Sequence, residues 1–462
     1  MQNNRVLQLN IPTPTKSNTV FSFFKSDLYL LLIGVIVSLS WIFNIPLFAY
    51  ISFGVIIIII AITQKSLIGV IPILLLATFV FPDENSLISA TAIGSITSVF
   101  LIFVISCVIH FIKNKNKFKF PASTIGFIAL FCAAFLGGIT TQGHFGSPQW
   151  VLGISTTGGM FLAMLILSIT ITEYNPLFIA KSFVVLTLVI ITQLFVYSLR
   201  QEDLLYSIVY KTTMLGWGIG NSAAEVLALA IPFVLYAMCK SRKFSILYVS
   251  VFILSMFSIL TTLSRAALIA VGFLALPMVV YSLRLSVKPL LTTIFLLSLF
   301  TLAVFLIFTF FNEEFKYIIN KLMTTGISDH GRIKLWKLAL DVFKTHNKFF
   351  GAGYAYGSAL SLDARYFVLW YHNHYLQVLA NMGIFGIIAF LIHIAQRFYY
   401  TIKRHTKFTV AALWSMFIMA LFGMLDITYF QPCFLIPMII TFWATQNGLK
   451  IKDPIPADET LI

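Results

Sequence analysis

Long apolar stretches separated by short polar connections run through this chain from residue 27 to residue 446. A helix that crosses a bilayer needs ~20 mostly apolar residues, within a range of ~17–25. The pattern predicts fourteen such helices, at residues 27–43, 45–63, 66–82, 87–112, 121–140, 151–172, 182–199, 222–238, 244–262, 266–283, 289–311, 376–396, 409–425 and 430–446. Some are short or almost directly joined, as at Asn44, so twelve spanning helices with two re-entrant segments are an alternative.

One long polar interruption divides this pattern, and polar segments precede and follow it. The predicted organisation is a tail at 1–26, helices at 27–311, a large loop at 312–375, helices at 376–446 and a second tail at 447–462. Only 10% of the residues are charged, whereas a soluble domain carries about 25%. With a mean hydropathy of +0.94, the chain is expected to be an all-α polytopic membrane protein with 12–14 transmembrane helices.

The net charge of +15 reports on topology rather than on nucleic-acid binding, because most basic residues lie in the short connections. With the N-terminus placed in the cytoplasm, 20 of the 31 Lys and Arg residues fall in cytoplasmic segments and eight in the large loop. Only Arg200, Lys211 and Arg265 fall in short outer segments. Both termini are therefore predicted to be cytoplasmic, in a multi-pass membrane protein.

This topology restricts the chemistry of the large loop, which is predicted to be extracytoplasmic. Nucleotide-activated substrates are not expected there, and the sequence contains no phosphate-binding or dinucleotide-binding glycine motif. A reaction at this face needs an activated substrate that has already crossed the bilayer. The four cysteines lie in separate apolar stretches without metal-binding spacing, so neither a metal site nor a cofactor is predicted.

The segment from Gly331 to Lys344 predicts an amphipathic helix. Its lysines fall in one arc and are expected to form a solvated face. Arg332 instead falls among the apolar residues, one turn before Trp336. It therefore points toward a site or a core, although an arginine that snorkels from the start of a helix is the alternative.

His372, Asn373 and His374 stand at the outer end of the helix predicted at 376–396. A histidine titrates near neutral pH and can act as a general base, but a single interfacial histidine is often structural. Arg265 lies in a very short junction between two apolar stretches, where an arginine is costly and often marks function. Arginine binds phosphate through two parallel hydrogen bonds, and a bridging or snorkelling role is the alternative.

Asn221 and Glu225 occupy the first turns of another predicted helix. Asn221 or the adjacent Ser222 could cap that helix, since both residue types are frequent N-caps. Glu225 lies just inside the apolar stretch, where it could pair with an arginine of the site.

In this order, the segments resemble the O-antigen ligase/polymerase family of bacterial membrane glycosyltransferases, over roughly residues 215–395. The resemblance rests on Asn221 with Pro232, Ser264-Arg265, Gly331-Arg332 with Trp336 and Ala339, Gly351-Ala352-Gly353-Tyr354, and His372-Asn373-His374-Tyr375-Leu376-Gln377 followed by Gly383-Ile384-Phe385-Gly386. It implies a GT-C-like fold of membrane helices with one large extracytoplasmic loop, located in the bacterial inner membrane. It also implies a glycan donor linked to undecaprenyl pyrophosphate, and transfer to a glycan, lipid or protein acceptor, without a metal and with inversion.

The resemblance also assigns roles to individual residues. His372 matches the family's general base, and Arg265 and Arg332 match the arginines that hold the pyrophosphate. Supporting roles are expected for Asn221, Glu225, Trp336, Asn373 and His374.

Two questions stay open from the sequence. A ligase and a polymerase differ in their acceptor, which the residues do not specify. A transporter or flippase of polysaccharide intermediates would also have many helices, but such proteins usually contain paired halves with broken helices, and no internal repeat is evident.

Overall fold

The computed structural model describes residues 22–82, 90–114, 120–241, 245–310, 316–317, 319–320, 331–354, 356, 370–404, 406–427, 429 and 431–447. The remaining parts of the two predicted tails and of the predicted loop at 312–375, including Gly357, lie outside these ranges. Within the described ranges the structure is helical, and its one β-type pairing is an isolated bridge between Met214 and Ile219.

Sixteen α-helices are described, and we label them in chain order. They are α1 Asp27–Ile42, α2 Pro46–Thr63, α3 Ile71–Leu76, α4 Ala90–Asn114, α5 Thr124–Leu136, α6 Pro148–Thr170, α7 Pro176–Leu199, α8 Leu204–Tyr210, α9 Gly220–Lys240, α10 Ser245–Thr261, α11 Arg265–Leu285, α12 Pro289–Phe310, α13 Arg332–Thr345, α14 His374–Arg404, α15 Lys407–Phe422 and α16 Pro432–Asn447. Short 3₁₀ turns flank α3 at Leu67–Val70 and Ala77–Val80.

The fold class predicted from the sequence is confirmed, because the described chain is an all-α polytopic membrane protein. Seven described helices are long and apolar enough to cross a membrane, namely α2, α6, α7, α9, α11, α12 and α14. Shorter apolar helices stand at the other predicted positions. The total of 12–14 transmembrane helices stays a prediction, because it depends on how many of these shorter helices cross the bilayer.

Helix α9 forms the centre of the bundle and packs against α7, α10, α11 and α15. Its most apolar stretch is completely buried, and Phe233 stacks on Phe183 of α7 with ring centroids 4.2 Å apart. Helix α12 is the opposite case, because only 6% of its apolar stretch is buried inside the protein. A helix that is apolar on all sides and mostly exposed is suited to contact with lipid.

The segments that the charge pattern assigns to one side of the membrane gather at one end of the bundle. At the end predicted to be cytoplasmic, Lys25 pairs with Glu173, and Lys181 pairs with Asp27 at 2.6 Å. At the other end, Arg200 donates to the Ile42 carbonyl at 2.7 Å. The contacts therefore agree with the predicted grouping, while the end that faces the cytoplasm stays a prediction.

Helix α14 departs from the sequence pattern, which predicts one uninterrupted helix at 376–396. In a straight helix, positions 374 and 390 would lie ~24 Å apart, yet the rings of His374 and Phe390 are 6.4 Å apart. A Cβ atom on Gly386 would come within 3.2 Å of a Val378 methyl carbon. The chain therefore folds back at Gly383, where φ is 67° and ψ is −159°, a conformation available to glycine.

The segment around Gly351 closes the tip of this helical hairpin. The Ile384 and Phe385 backbone N–H groups donate to the carbonyls of Lys348 and Phe349 at 2.9 and 3.0 Å. A Cβ atom on Gly351 would lie 2.6 Å from the backbone of Met382, so only glycine allows this approach. Because His374 lies level with Phe390, six residues into the returning arm, the histidine turn is recessed ~9 Å below the tip.

Candidate functional site

Asp426 brings two of the predicted site residues together. One carboxylate oxygen lies 2.7 Å from His372 Nδ1, and the other lies 3.6 Å from a terminal nitrogen of Arg332. The Asp426 side chain is only 11% exposed, whereas that of His372 is 42% exposed. The carboxylate is therefore the enclosed centre of the cluster, and the imidazole faces the open space.

Backbone geometry fixes the two partners of this pair. His372 has a φ of 50°, which is uncommon for a residue with a side chain, in the turn that precedes α14. Asp426 follows α15, its backbone N–H donates to the Phe422 carbonyl at 2.8 Å, and its carboxylate accepts from Ile427 N–H at 2.9 Å.

The electrostatic environment keeps Asp426 ionised. Burial favours a higher pKa for its carboxyl group, but the hydrogen bond and charge of His372, with smaller effects of Ile427 N–H and Arg332, lower the pKa below its usual value. An ionised carboxylate only accepts hydrogen bonds, so His372 Nδ1 carries the proton of the shared bond. In the neutral imidazole, this leaves Nε2 as the basic nitrogen.

Two predicted supporting residues hold the His372 turn from opposite sides. Trp336 Nε1 donates to the His372 carbonyl at 3.4 Å, which connects α13 to the turn. The Asn373 side chain donates to the Met424 carbonyl at 2.9 Å and accepts from the backbone N–H groups of Tyr375 and Leu376 at 3.0 Å. Both side chains therefore act on the position of His372.

His374 is buried behind the site and fastens the turn that carries Asp426. Its Nε2 accepts from Tyr429 N–H at 2.8 Å, and its Nδ1 lies 3.3 Å from the Asp426 carbonyl. A Cβ atom on Gly423 would come within 2.7 Å of the His374 ring, so glycine is required there. These contacts make His374 a positioning residue rather than a group that faces a substrate.

Three cations approach the cluster from separate elements. Arg265 and Arg332 are the first residues of α11 and α13, and Lys211 ends α8. Partial desolvation lowers the pKa of Lys211, which remains exposed, and the charges of Arg265 and Arg332 lower it further, while Asp426 opposes this change. Lys211 is therefore within electrostatic reach of Arg265, Arg332 and Asp426, so positive charge gathers near the His372–Asp426 pair.

Asn221 and Glu225 lie in the first turns of α9, whose N-cap is Ile219. Neither Asn221 nor Ser222 is the N-cap, so the predicted capping role is not found. Glu225 interacts electrostatically with Asp426, but it forms no ion pair with an arginine among the described residues. The buried Glu225 Oε1 has no hydrogen-bond partner in the described part of the chain.

Sequence reasoning missed Asp426 and treated Lys211 only as a marker of topology. Asp426 is an ionisable residue between two apolar stretches, and that setting often marks function, so a signal was present. Lys211 gave no such signal, because its distance along the chain from Arg265 hides their proximity. Among the described side chains, no group of three or more His, Cys, Asp or Glu residues is arranged to hold a metal ion.

The fold and this cluster define a class of protein, a polytopic membrane protein with a histidine–carboxylate pair beside clustered cations. Residues 250–391 match the family model described as O-antigen ligase, which confirms the resemblance found in the sequence. The match includes Arg265, Arg332 and His372, and it supports a bacterial membrane protein with a general function in glycan transfer. A search of curated proteins found no match.

Proposed function

We propose that this protein is a metal-independent, inverting glycosyltransferase at the extracytoplasmic face of the bacterial inner membrane. It moves a glycan from undecaprenyl pyrophosphate to a hydroxyl group of a glycan, lipid or protein acceptor, as an O-antigen ligase or a surface-polysaccharide polymerase. The observation that carries this proposal is the His372–Asp426 hydrogen bond of 2.7 Å beside Arg332.

His372 is the general base of the proposed reaction. Its Nε2 removes the proton of the acceptor hydroxyl as the oxygen attacks the anomeric carbon. Asp426 holds the Nδ1–H side of the ring and stabilises the imidazolium that forms, as the carboxylate does in hydrolytic triads. The bond between the anomeric carbon and the phosphate oxygen breaks on the opposite face, which inverts the configuration.

Arg265, Arg332 and Lys211 bind the pyrophosphate and stabilise the negative charge that develops as it leaves. Arg332 is suited to this role because its 3.6 Å separation from Asp426 is long for a hydrogen bond. Its guanidinium can therefore contact a phosphate while it stays beside the carboxylate.

The recessed position of the site supports a lipid-linked donor. His374, and with it the His372 turn, lies ~9 Å below the hairpin tip at Gly383. A pyrophosphate anchored to a lipid stays near the bilayer surface, so a site at this depth suits it better than a soluble substrate.

A transporter or flippase of the same intermediates is the second candidate, and the break in α14 is the observation that favours it. Purified protein in detergent separates the two candidates. A glycosyltransferase turns over lipid-linked donor without a sealed compartment, whereas a transporter has no net reaction to carry out there.

Complementation of a deletion strain tests the proposed chemistry. We expect His372→Ala to be inserted at normal levels but to abolish glycan transfer. Surface polysaccharide resolved on a gel measures this loss. Short lipid-linked units would accumulate if the protein is a polymerase, and long chains would remain on the lipid carrier if it is a ligase. His346→Ala is the matched control, because this histidine packs on Tyr356 at the far end of α13. Normal polysaccharide with His372→Ala would refute the proposed base.

A further inference from the structure

A cavity lies far from the His372 site, at the opposite end of the bundle. It is a shallow groove, partly open to its surroundings, between the last turns of α9 and α11 and the first turns of α15. Its floor is apolar and buried, and includes Pro232, Leu235 and Met278. Arg265 and the cavity residue Leu285 are at opposite ends of α11, which places the cavity ~30 Å from the glycan-transfer site.

Two lysines from different helices line this cavity. Lys240 is the last residue of α9, and Lys407 is the first residue of α15. Both lysines interact electrostatically with the Cys239 thiol inside the cavity, so their charges act on the same space. The two lysine charges therefore belong to one local environment, although the residues lie on different helices.

The described residues that line the cavity carry a net positive charge. A helix N-terminus carries a positive partial charge, which favours an acidic residue in the first turn. The first turn of α15 has no acidic residue and begins with Lys407 instead. None of the described residues that line the cavity is acidic, so an anion would be stabilised there.

Three aromatic residues, Tyr236, Tyr281 and Trp414, line the cavity. Tyrosine and tryptophan concentrate at the headgroup level of membranes, where one side is apolar and the other is polar. Trp414 Nε1 is buried without a hydrogen-bond acceptor among the described residues.

We propose that this cavity binds an anionic phospholipid. The phosphate lies between Lys240 and Lys407, the glycerol region contacts the three aromatic residues, and an acyl chain covers the apolar floor. Basic pockets between helices on the cytoplasmic side are suited to such headgroups. The bound lipid joins α9, α11 and α15, three helices that pack against one another at this end.

Thermal unfolding of the full-length protein in a neutral detergent tests this site. We expect added phosphatidylglycerol to raise the unfolding midpoint by several degrees, whereas phosphatidylcholine and inorganic phosphate do not. Lys240→Gln and Lys407→Gln should lose the increase, while Lys240→Arg and Lys407→Arg should keep it. Lys403→Gln is the matched control, because Lys403 is exposed at the same end of the bundle and does not line the cavity.

Each other outcome overturns the proposal in a distinct way. Equal stabilisation by phosphatidylcholine would mean that the cavity binds acyl chains without reading the headgroup. An equal effect of inorganic phosphate would mean that it binds a soluble anion. An equal loss in Lys403→Gln would mean that net charge alone is responsible. Mass spectrometry of lipid that copurifies with each variant gives a second readout, which does not depend on stability.

Discussion

At the residue scale, Asp426 determines which nitrogen of His372 can accept a proton. A histidine alone in a turn could adopt either tautomer, and its ring could rotate. The pKa of the Asp426 carboxyl is lowered by His372, Ile427 N–H and Arg332, so the carboxylate is ionised. Its 2.7 Å bond to Nδ1 fixes both the tautomer and the rotation of the ring. The orientation of the His372 ring therefore depends on a residue 54 positions away in the sequence.

Replacing that carboxylate by an amide should separate orientation from base strength. We expect Asp426→Asn to reduce glycan transfer on the order of 10²–10⁴-fold, because an amide neither selects the tautomer nor stabilises the imidazolium. Single-turnover transfer by purified protein measures this loss. Asp341→Asn, on the exposed face of α13, should keep normal activity, and an equally large loss there would contradict the assignment.

Lys211 should make donor use sensitive to alkaline pH. Its lowered pKa means that it loses its proton at a lower pH than an ordinary lysine, so kcat/KM for the donor should fall as pH rises through that value. Lys211→Arg stays charged throughout, so the decline should move to higher pH. An unchanged pH profile in Lys211→Arg would remove Lys211 from the site.

At the element scale, the hairpin of α14 depends on a single backbone conformation. A Cβ atom at Gly383 would lie 2.4 Å from the Phe349 carbonyl oxygen, in addition to the unfavourable φ of 67°. We expect Gly383→Ala to lower the free energy of unfolding by at least ~2 kcal/mol and to reduce transfer, because both arms must shift.

The control for this substitution is Gly272→Ala, in the middle of α11. A Cβ atom there meets nothing within 4 Å, so the change should be neutral or slightly stabilising. Thermal unfolding of both variants provides the comparison. Equal stability of the two variants would mean that the turn at Gly383 tolerates a side chain.

The sequence predicted elements better than it predicted their connections. Apolar length identified helices at every predicted position, because hydropathy records whether a segment can lie in lipid. It did not reveal the break at Gly383, since the residues on both sides are apolar and the turn arises from backbone conformation. Local pattern singled out Arg332 and His372 as candidates, whereas their link through Asp426 arises only from tertiary packing.

At the scale of the whole molecule, topology connects the charge pattern with the proposed chemistry. Alkaline phosphatase fused after Glu202 should be active, because this segment is predicted to be extracytoplasmic, and the same reporter fused after Ser241 should be inactive. Enzyme assays on whole cells measure both fusions. The reverse result would place His372 in the cytoplasm and would remove the reason to expect a lipid-linked donor that has crossed the membrane.

The recess beneath the Gly383 tip has a consequence for competition between acceptors. Water is the most abundant hydroxyl compound near any base, and its attack on the donor would release the glycan unused. In the reaction proposed above, an acceptor hydroxyl bound at His372 would occupy the position that water needs to reach the imidazole, ~9 Å below the tip. Under that proposal, the fraction of donor lost to hydrolysis should fall as acceptor occupancy rises, so the depth of the site bears on the partition between transfer and hydrolysis.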